Sequence, residues 1–105
     1  MAKQTETKWY SNGLKDEDAK RLEKRYAKIE DPTFGLTDRD YLALQFQLSY
    51  ENGSGTSWHL ADPKDIKNLF VRTKTSETLE LEGKVIEAFI DGNILRGLSV
   101  NKNLV

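Results

Sequence analysis

The sequence contains no cysteine and only one histidine, His59. Disulfides, thiolate metal ligands and cysteine nucleophiles are therefore excluded, and a reducing compartment, the cytoplasm, is the expected location. A catalytic triad or a histidine-rich metal centre would need partners for His59 that the chain lacks. We therefore predict neither a metal nor a cofactor, and we interpret His59 as a structural or exposed strand residue.

Long apolar runs and a surplus of positive charge are also missing. The longest uncharged runs, such as residues 41–50, are about half the length of a membrane span, and no signal-peptide pattern is present. Sixteen basic against seventeen acidic residues leave a net charge of -1, without the positive field of a duplex DNA-binding protein. These absences predict a soluble, untargeted protein with no membrane partner, and they disfavour duplex nucleic acid.

The 105 residues of the chain fit one small domain. We predict a mobile N-terminal segment over residues 1–13, unless Trp9 and Tyr10 dock onto the core, followed by a single α+β domain over residues 14–105. The predicted fold is an antiparallel sheet of about four to five strands, built from two hairpins, with two or three short helices to one side.

Two amphipathic helices are indicated. Apolar residues recur at helical spacing over residues 16–28, after an acidic start. The outer face of this first helix carries a basic stripe, namely Lys20, Lys24 and Lys28, with Arg21 and Arg25 beside it. Alternatively, residues 26–31 begin a strand that Pro32 confines to a sheet edge or a bend. The second helix is predicted from Pro63 to about Arg72, because Asp62 is a good N-cap and proline suits the first turn.

Two hairpins are indicated as well. Alternating apolar and polar residues predict a strand over residues 42–48, with residues 58–60 as its returning partner. Asp91-Gly92 predicts a type I′ turn between residues 84–90 and 93–100. The register that follows from this turn pairs Phe89 with Ile94, Val85 with Leu98, and Glu87 with Arg96.

Both faces of the second hairpin are largely apolar, so each must be covered by the rest of the fold or by another subunit. We therefore predict a homo-oligomer. Its predicted interface comprises Val85, Glu87, Phe89, Ile94 and Leu98. The Glu87–Arg96 pair is interpreted either as a cross-strand salt bridge or as an arginine held ready for a carboxylate or phosphate.

A glycine loop lies between the strands of the first hairpin. It comprises Asn52, Gly53, Ser54 and Gly55, with Tyr50 and Trp58 on either side. Exposed backbone N–H groups and hydroxyls can cradle a phosphate, and the aromatic rings can stack on a base. The loop lacks the lysine of a P-loop and leads into no helix, so a flexible hairpin loop explains it at least as well.

Four segments between residues 28 and 100 follow one another in this order: KIEDPTFGLTDRDYLALQFQLSY, the glycine loop before SWHL, DPKDIKNLF, and LEGKVIEAFIDGNILRGLSV. Over these segments the chain resembles small phage-encoded proteins of the type 1 anti-Thoeris sponge family. The resemblance implies an oligomeric protein of the host cytoplasm that sequesters a cyclic nucleotide-like immune signal without cleaving it. No ligand contact is carried over from that family. By residue type, the candidate contacts to a phosphorylated nucleotide are Arg96, Asn101, Tyr50 and Trp58.

We therefore predict a non-enzymatic binding protein, a counter-defence protein that captures a small phosphorylated ligand or signalling nucleotide at an oligomer interface. The alternative is a protein-interaction module or inhibitor that acts through the basic helix and the exposed hairpin face. An enzyme is the least favoured class, because the carboxylates are dispersed and no metal-binding motif organises them.

Overall fold

The computed structural model describes residues 8–104. Residues 1–7 of the predicted N-terminal segment and residue 105 of the predicted domain lie outside the described part. Five antiparallel strands form one sheet in the order β3-β2-β1-β4-β5. The strands are β1 (Glu23–Leu36), β2 (Leu42–Tyr50), β3 (Gly55–Leu60), β4 (Val85–Asp91) and β5 (Ile94–Ser99), the helices are α1 (Asp16–Ala19) and α2 (Pro63–Thr73), and 3-10 turns span Ser11–Gly13, Thr78–Leu81 and Lys102–Leu104. The predicted α+β fold is confirmed.

The predicted helix over residues 16–28 is wrong beyond Ala19, because β1 begins at Glu23. Ala27 and Ile29 are buried in the core, so the same apolar residues also fit the two-residue period of a strand. Pairing with β2 along one edge and β4 along the other overrides the local helical pattern. The basic helix therefore does not exist.

Pro32 lies in β1, the middle strand of the sheet, but beyond the residues that pair with β4, so within residues 8–104 one edge of the strand is unpaired there and the predicted edge or bend is confirmed. The pairing of β1 with β2 shifts register between Glu30 and Thr33, and Asp31 adopts a φ of 52°. A bulge is where a strand tolerates a proline, because the missing N–H is not needed for the ladder. Beyond this bulge, residues 33–36 pair with β2 alone among the described strands.

Helix α2 covers the core face of the sheet. The Asp62 carboxylate accepts a hydrogen bond from the Lys64 N–H at 2.9 Å, and Pro63 opens the helix, as predicted. Leu69 is fully buried against apolar residues of the sheet. In the 3-10 turn Thr78–Leu81, Leu81 is fully buried in the core and a capping box joins Glu77 and Glu80. Hydrogen bonds from backbone N–H groups lower the pKa of the Glu80 carboxyl.

The register of the β4–β5 hairpin differs from the predicted one. Asp91 pairs with Ile94 across a two-residue turn in which Gly92 has a φ of 64°, as a type II′ turn requires at its first central position. A bulge at Arg96 then shifts the pairing by a further residue, so that Arg96 itself has no partner on β4. The observed partners are Ile90 with Leu95, Phe89 with Gly97, Ala88 with Leu98 and Glu87 with Ser99. The predicted Glu87–Arg96, Phe89–Ile94 and Val85–Leu98 pairs are therefore wrong.

The N-terminal strap, residues 8–14, covers the second face of this hairpin. The Tyr10 ring meets the Phe89 ring edge to face, with centroids 5.3 Å apart. The Leu98 N–H donates to Ser11 Oγ at 2.8 Å, and the Ser99 hydroxyl donates to the Trp9 carbonyl. Trp9 and Tyr10 thus dock onto the sheet, which is the predicted condition for order, and this holds for residues 8–13 of the segment.

Candidate functional site

The glycine loop satisfies most of its own polar groups. The Asn52 side-chain oxygen accepts from the Ser54 N–H at 3.0 Å and from the Ser54 hydroxyl at 2.6 Å. The Gly53 N–H donates to the Tyr50 carbonyl at 3.0 Å. Gly55 pairs with β2 so closely that a Cβ there would collide with the Leu48 carbonyl. These groups are occupied within the loop, so it offers a phosphate fewer N–H donors than its sequence suggested.

Tyr50, Ser54 and Gly55 line a cavity of about 250 Å³ where the edge strands β3 and β5 approach each other. Arg25 also lines it, with its guanidinium 5.4 Å from the centre of the Tyr50 ring. Burial raises the pKa of the Tyr50 phenol, and the Arg25 charge opposes that shift. The Glu23 carboxylate accepts from Arg25 Nε at 2.8 Å, so the Arg25 charge is already paired.

The remaining predicted ligand residues lie elsewhere. Trp58 pairs with Phe46 and packs against the core, with its indole N–H buried and without a hydrogen-bond partner. Arg96 is exposed on β5, 3.7 Å from the Asp91 carboxylate. Asn101 follows β5 at a third location. The structure therefore does not bring the eight predicted ligand residues together into one site.

The predicted interface residues also do not form one exposed surface. Glu87, Phe89 and Leu98 are buried within the chain, Val85 is half-buried, and Ile94 is 63% exposed. The strap covers the hairpin face that was predicted to contact a second subunit. Burial raises the pKa of the Tyr10 phenol in this strap to about 12, and its hydrogen bond to Asp16 acts in the same direction.

A larger cavity, of about 510 Å³, lies where the strap, the C-terminal half of α2 and the residues after β5 meet. We call it the terminal cavity. Its lining residues are Lys8, Asn68, Val71, Arg72, Lys74, Glu87, Val100, Asn101 and Lys102. Four of these side chains are cationic and one is anionic, so the terminal cavity is strongly basic in a chain of nearly zero net charge.

Local structure explains how the basic side chains come together. Docking of Trp9 and Tyr10 carries Lys8 to one wall, and the strap is tied to α2 by the Trp9 indole N–H, which donates to the Asp65 carboxylate at 3.1 Å. Arg72 lies in the last turn of α2, where its Nε donates to the Asn68 side chain at 3.1 Å. Lys74 caps the same helix in a left-handed conformation with a φ of 60°. The negative end of the helix dipole favours cations at both positions.

Among residues 8–104, Glu87 is the one acidic residue that lines the terminal cavity, and it is only 1% exposed. Its Oε1 lies 3.2 Å from Lys8 Nζ, an ion pair without hydrogen-bond geometry. Its Oε2 lies 3.5 Å from Lys24 Nζ and accepts from Asn101 Nδ2 at 3.4 Å. A buried carboxylate of this kind requires charged partners, which Lys8 and Lys24 supply.

Sequence reasoning identified Asn101 as a ligand residue and Glu87 as an interface residue, but it missed the cations around them. Lys8 and Lys102 lie near opposite ends of the chain, and Arg72 and Lys74 lie at the end of a helix in between. No spacing within a short window relates these residues. The alternation along β4, which points Glu87 away from Ile86 and Ala88, was the one available signal.

Comparisons with known proteins found no matching family model, no similar curated protein and no similar solved structure. Within residues 8–104, no helix is long and apolar enough to cross a membrane. In the same part of the chain, no group of three or more histidine, aspartate or glutamate side chains is arranged to hold a metal ion.

Proposed function

We propose that this chain is a non-enzymatic binding protein that captures a small phosphorylated ligand in the terminal cavity. The observation that carries the proposal is the set of four cationic side chains around a cavity of about 510 Å³. This volume falls within the range of small-molecule sites, roughly 300–1,000 Å³. A basic cavity in a chain with a net charge of -1 concentrates positive charge at one place, which suits an anion.

The lining also suits more than a bare anion. Arg72, whose Nε already donates to Asn68, brings a delocalised positive charge of the kind that suits phosphate oxygens, and lysines such as Lys74 act as mobile point charges. Val71 and Val100 add apolar surface on which a sugar or base can rest. The combination favours a phosphorylated metabolite or nucleotide over inorganic phosphate.

The narrower proposal is that the ligand is a nucleotide immune signal, which the chain sequesters without cleavage as a phage counter-defence protein in the host cytoplasm. Its support is the resemblance to type 1 anti-Thoeris sponges described above. In this proposal Asn101 keeps its predicted role near the ligand, whereas Tyr50, Trp58 and Arg96 lie outside the terminal cavity.

Isothermal titration calorimetry at low salt tests the proposal. Adenosine monophosphate and adenosine diphosphate should bind, adenosine should bind far more weakly, and chromatography should recover both nucleotides intact. Affinity should fall steeply as the salt concentration rises from about 50 mM to about 300 mM, because the contacts are charge pairs. Equal binding of adenosine, or no binding of either phosphorylated compound, would contradict the proposal.

Self-association is a separate part of the proposal. The strap covers much of the predicted hairpin interface, so we place the contact on a different exposed apolar surface. We call the paired residues 33–36 and 42–45 the ribbon. One face of the ribbon carries three exposed apolar side chains, namely Phe34 (51%), Leu36 (68%) and Leu42 (56%). One edge of residues 33–36 has no partner among the described strands. Because an antiparallel strand edge can pair with its own copy about a two-fold axis, we propose a second copy of this chain as the occupant.

Replacing Phe34 and Leu36 together with serine should convert a dimer to a monomer, as measured by sedimentation velocity at about 100 μM protein. The reason is the loss of two large apolar side chains from the contact. Ile94→Ser is the matched control, because Ile94 is 63% exposed on the hairpin first predicted as the interface. A monomeric wild-type protein, or dissociation by Ile94→Ser alone, would count against the ribbon.

A further inference from the structure

The geometry points to Glu87 as the acceptor for ligand hydroxyl groups, so that the terminal cavity takes a ribose phosphate or nucleotide with a free vicinal diol. This inference rests on the proposed function and narrows its ligand class. Among the described lining residues, Glu87 is the single carboxylate, and it is ion-paired with the cationic Lys8. A phosphate alone would gain nothing from it and would be repelled by it.

The Glu87 carboxylate has unused bonding capacity. It is 1% exposed, so solvent satisfies little of it. Its contacts to Lys8, Lys24 and Asn101 measure 3.2, 3.5 and 3.4 Å. Charge-assisted hydrogen bonds are shorter, at about 2.7–2.9 Å, and a carboxylate can accept at about four positions. A buried group with this much spare capacity, lining a cavity, is set to accept donors from a ligand.

The neighbouring lysines restrict the charge of those donors. Lys8 and Lys24 already contribute two positive charges to Glu87, so a third cation from the ligand would be repelled. Neutral donors meet no such penalty, and vicinal hydroxyls of ribose bind a single carboxylate well in nucleotide-binding proteins. The chemistry around Glu87 therefore selects hydroxyl groups over amines.

Lys8 is the side chain at which the site can open to the ligand. It contacts Oε1 without hydrogen-bond geometry, and its side chain is 45% exposed, so it can move aside. Asn101 is held more firmly, because its side-chain oxygen accepts from the Asn103 N–H at 2.9 Å while its amide donates to Oε2. Ligand hydroxyls can thus replace Lys8 at Oε1, and the released ammonium remains beside the phosphate.

Calorimetry with three probes tests this inference: adenosine monophosphate, its 2′,3′-dideoxy analogue and inorganic phosphate. Wild-type protein should bind adenosine monophosphate at least about tenfold more tightly than the dideoxy analogue, because the analogue has no ribose hydroxyl to donate to Glu87. The Glu87→Gln variant should lose most of this difference in affinity, while its affinity for the dideoxy analogue stays close to that of wild type. Glu17→Gln, which removes an exposed carboxylate on α1, is the control and should behave as wild type.

The outcomes separate the two proposals. If both nucleotides bind wild-type protein equally, the role of Glu87 is overturned and phosphate capture stands. If none of the three probes binds, phosphate capture fails and the inference fails with it. The comparison of the two nucleotides uses wild-type protein only, so it decides the question even if Glu87→Gln does not fold.

Discussion

Replacing Gly97 with alanine should detach the strap from the sheet and lower the free energy of unfolding by about 1–3 kcal/mol. A Cβ at this position would lie 2.9 Å from the Ser11 carbonyl oxygen and 3.1 Å from Leu14 Cδ2. Because the first of these atoms is backbone, the strap itself must move. The movement would break the bond from the Leu98 N–H to Ser11 and the ring contact of Tyr10 with Phe89.

Urea unfolding measures the stability change, and hydrogen exchange at the Leu98 amide reports the lost bond directly. Gly35→Ala is the matched control, because Gly35 also lies in a strand, lacks a positive φ and would have no atom within 4 Å of an added Cβ. Its stability should change by less than about 0.5 kcal/mol. Equal losses for the two variants, or unchanged exchange at Leu98 in Gly97→Ala, would show that close approach at Gly97 does not hold the strap.

The parts of the fold that could be predicted from sequence are those with local signals. Helix α2 has Asp62 as a cap and Pro63 in its first turn, and the structure ends it at Thr73, one residue from the prediction. Strand β2 has alternating apolar residues, and its buried Leu44, Phe46 and Leu48 follow that alternation. In both cases the residues that decide the structure lie within one turn or one strand of each other.

The central strand β1 could not be predicted in the same way, because two periods fit its residues. Leu22, Tyr26 and Ile29 recur at helical spacing, while Ala27 and Ile29 satisfy a strand with one buried face. The choice depends on β2 and β4, which pair with the two edges of β1 and lie outside the window in which the helical spacing was found. Tertiary pairing of this kind outweighs helix propensity, which amounts to only about 0.7 kcal/mol per residue for ordinary residues.

The terminal cavity was missed for a related reason. Its cations come from the strap, the end of α2 and the residues after β5, and only the docked strap brings Lys8 to Glu87. The predicted partner of Glu87 was Arg96, whereas the observed partner is Ser99, three residues further along β5. Two differences separate these registers: the turn is formed by Gly92 and Asn93, which moves each partner by two residues, and the bulge at Arg96 adds one more. Glu87 is consequently a buried carboxylate in a basic cavity and not half of a surface ion pair.

Reversing the charge of Lys74 and Lys102 together should weaken the binding of adenosine monophosphate at least about 100-fold at low salt. Each charge-assisted hydrogen bond contributes about 1.5–3 kcal/mol, and about 1.4 kcal/mol is tenfold in affinity, so the loss of two such contacts accounts for this factor. Lys74→Glu and Lys102→Glu also add two negative charges beside Glu87, which repel the phosphate. Calorimetry on the double variant measures the effect.

The matched control is the pair Lys64→Glu and Lys67→Glu, which changes the net charge equally on the exposed side of α2, outside the terminal cavity. Long-range repulsion is screened over about 10 Å at 0.1 M salt, so this control should lose no more than about threefold. A control that weakens binding as much as Lys74→Glu with Lys102→Glu would mean that overall charge, and not the terminal cavity, attracts the ligand. A large loss confined to the cavity variant, with unchanged circular dichroism, is the result that local phosphate contacts require.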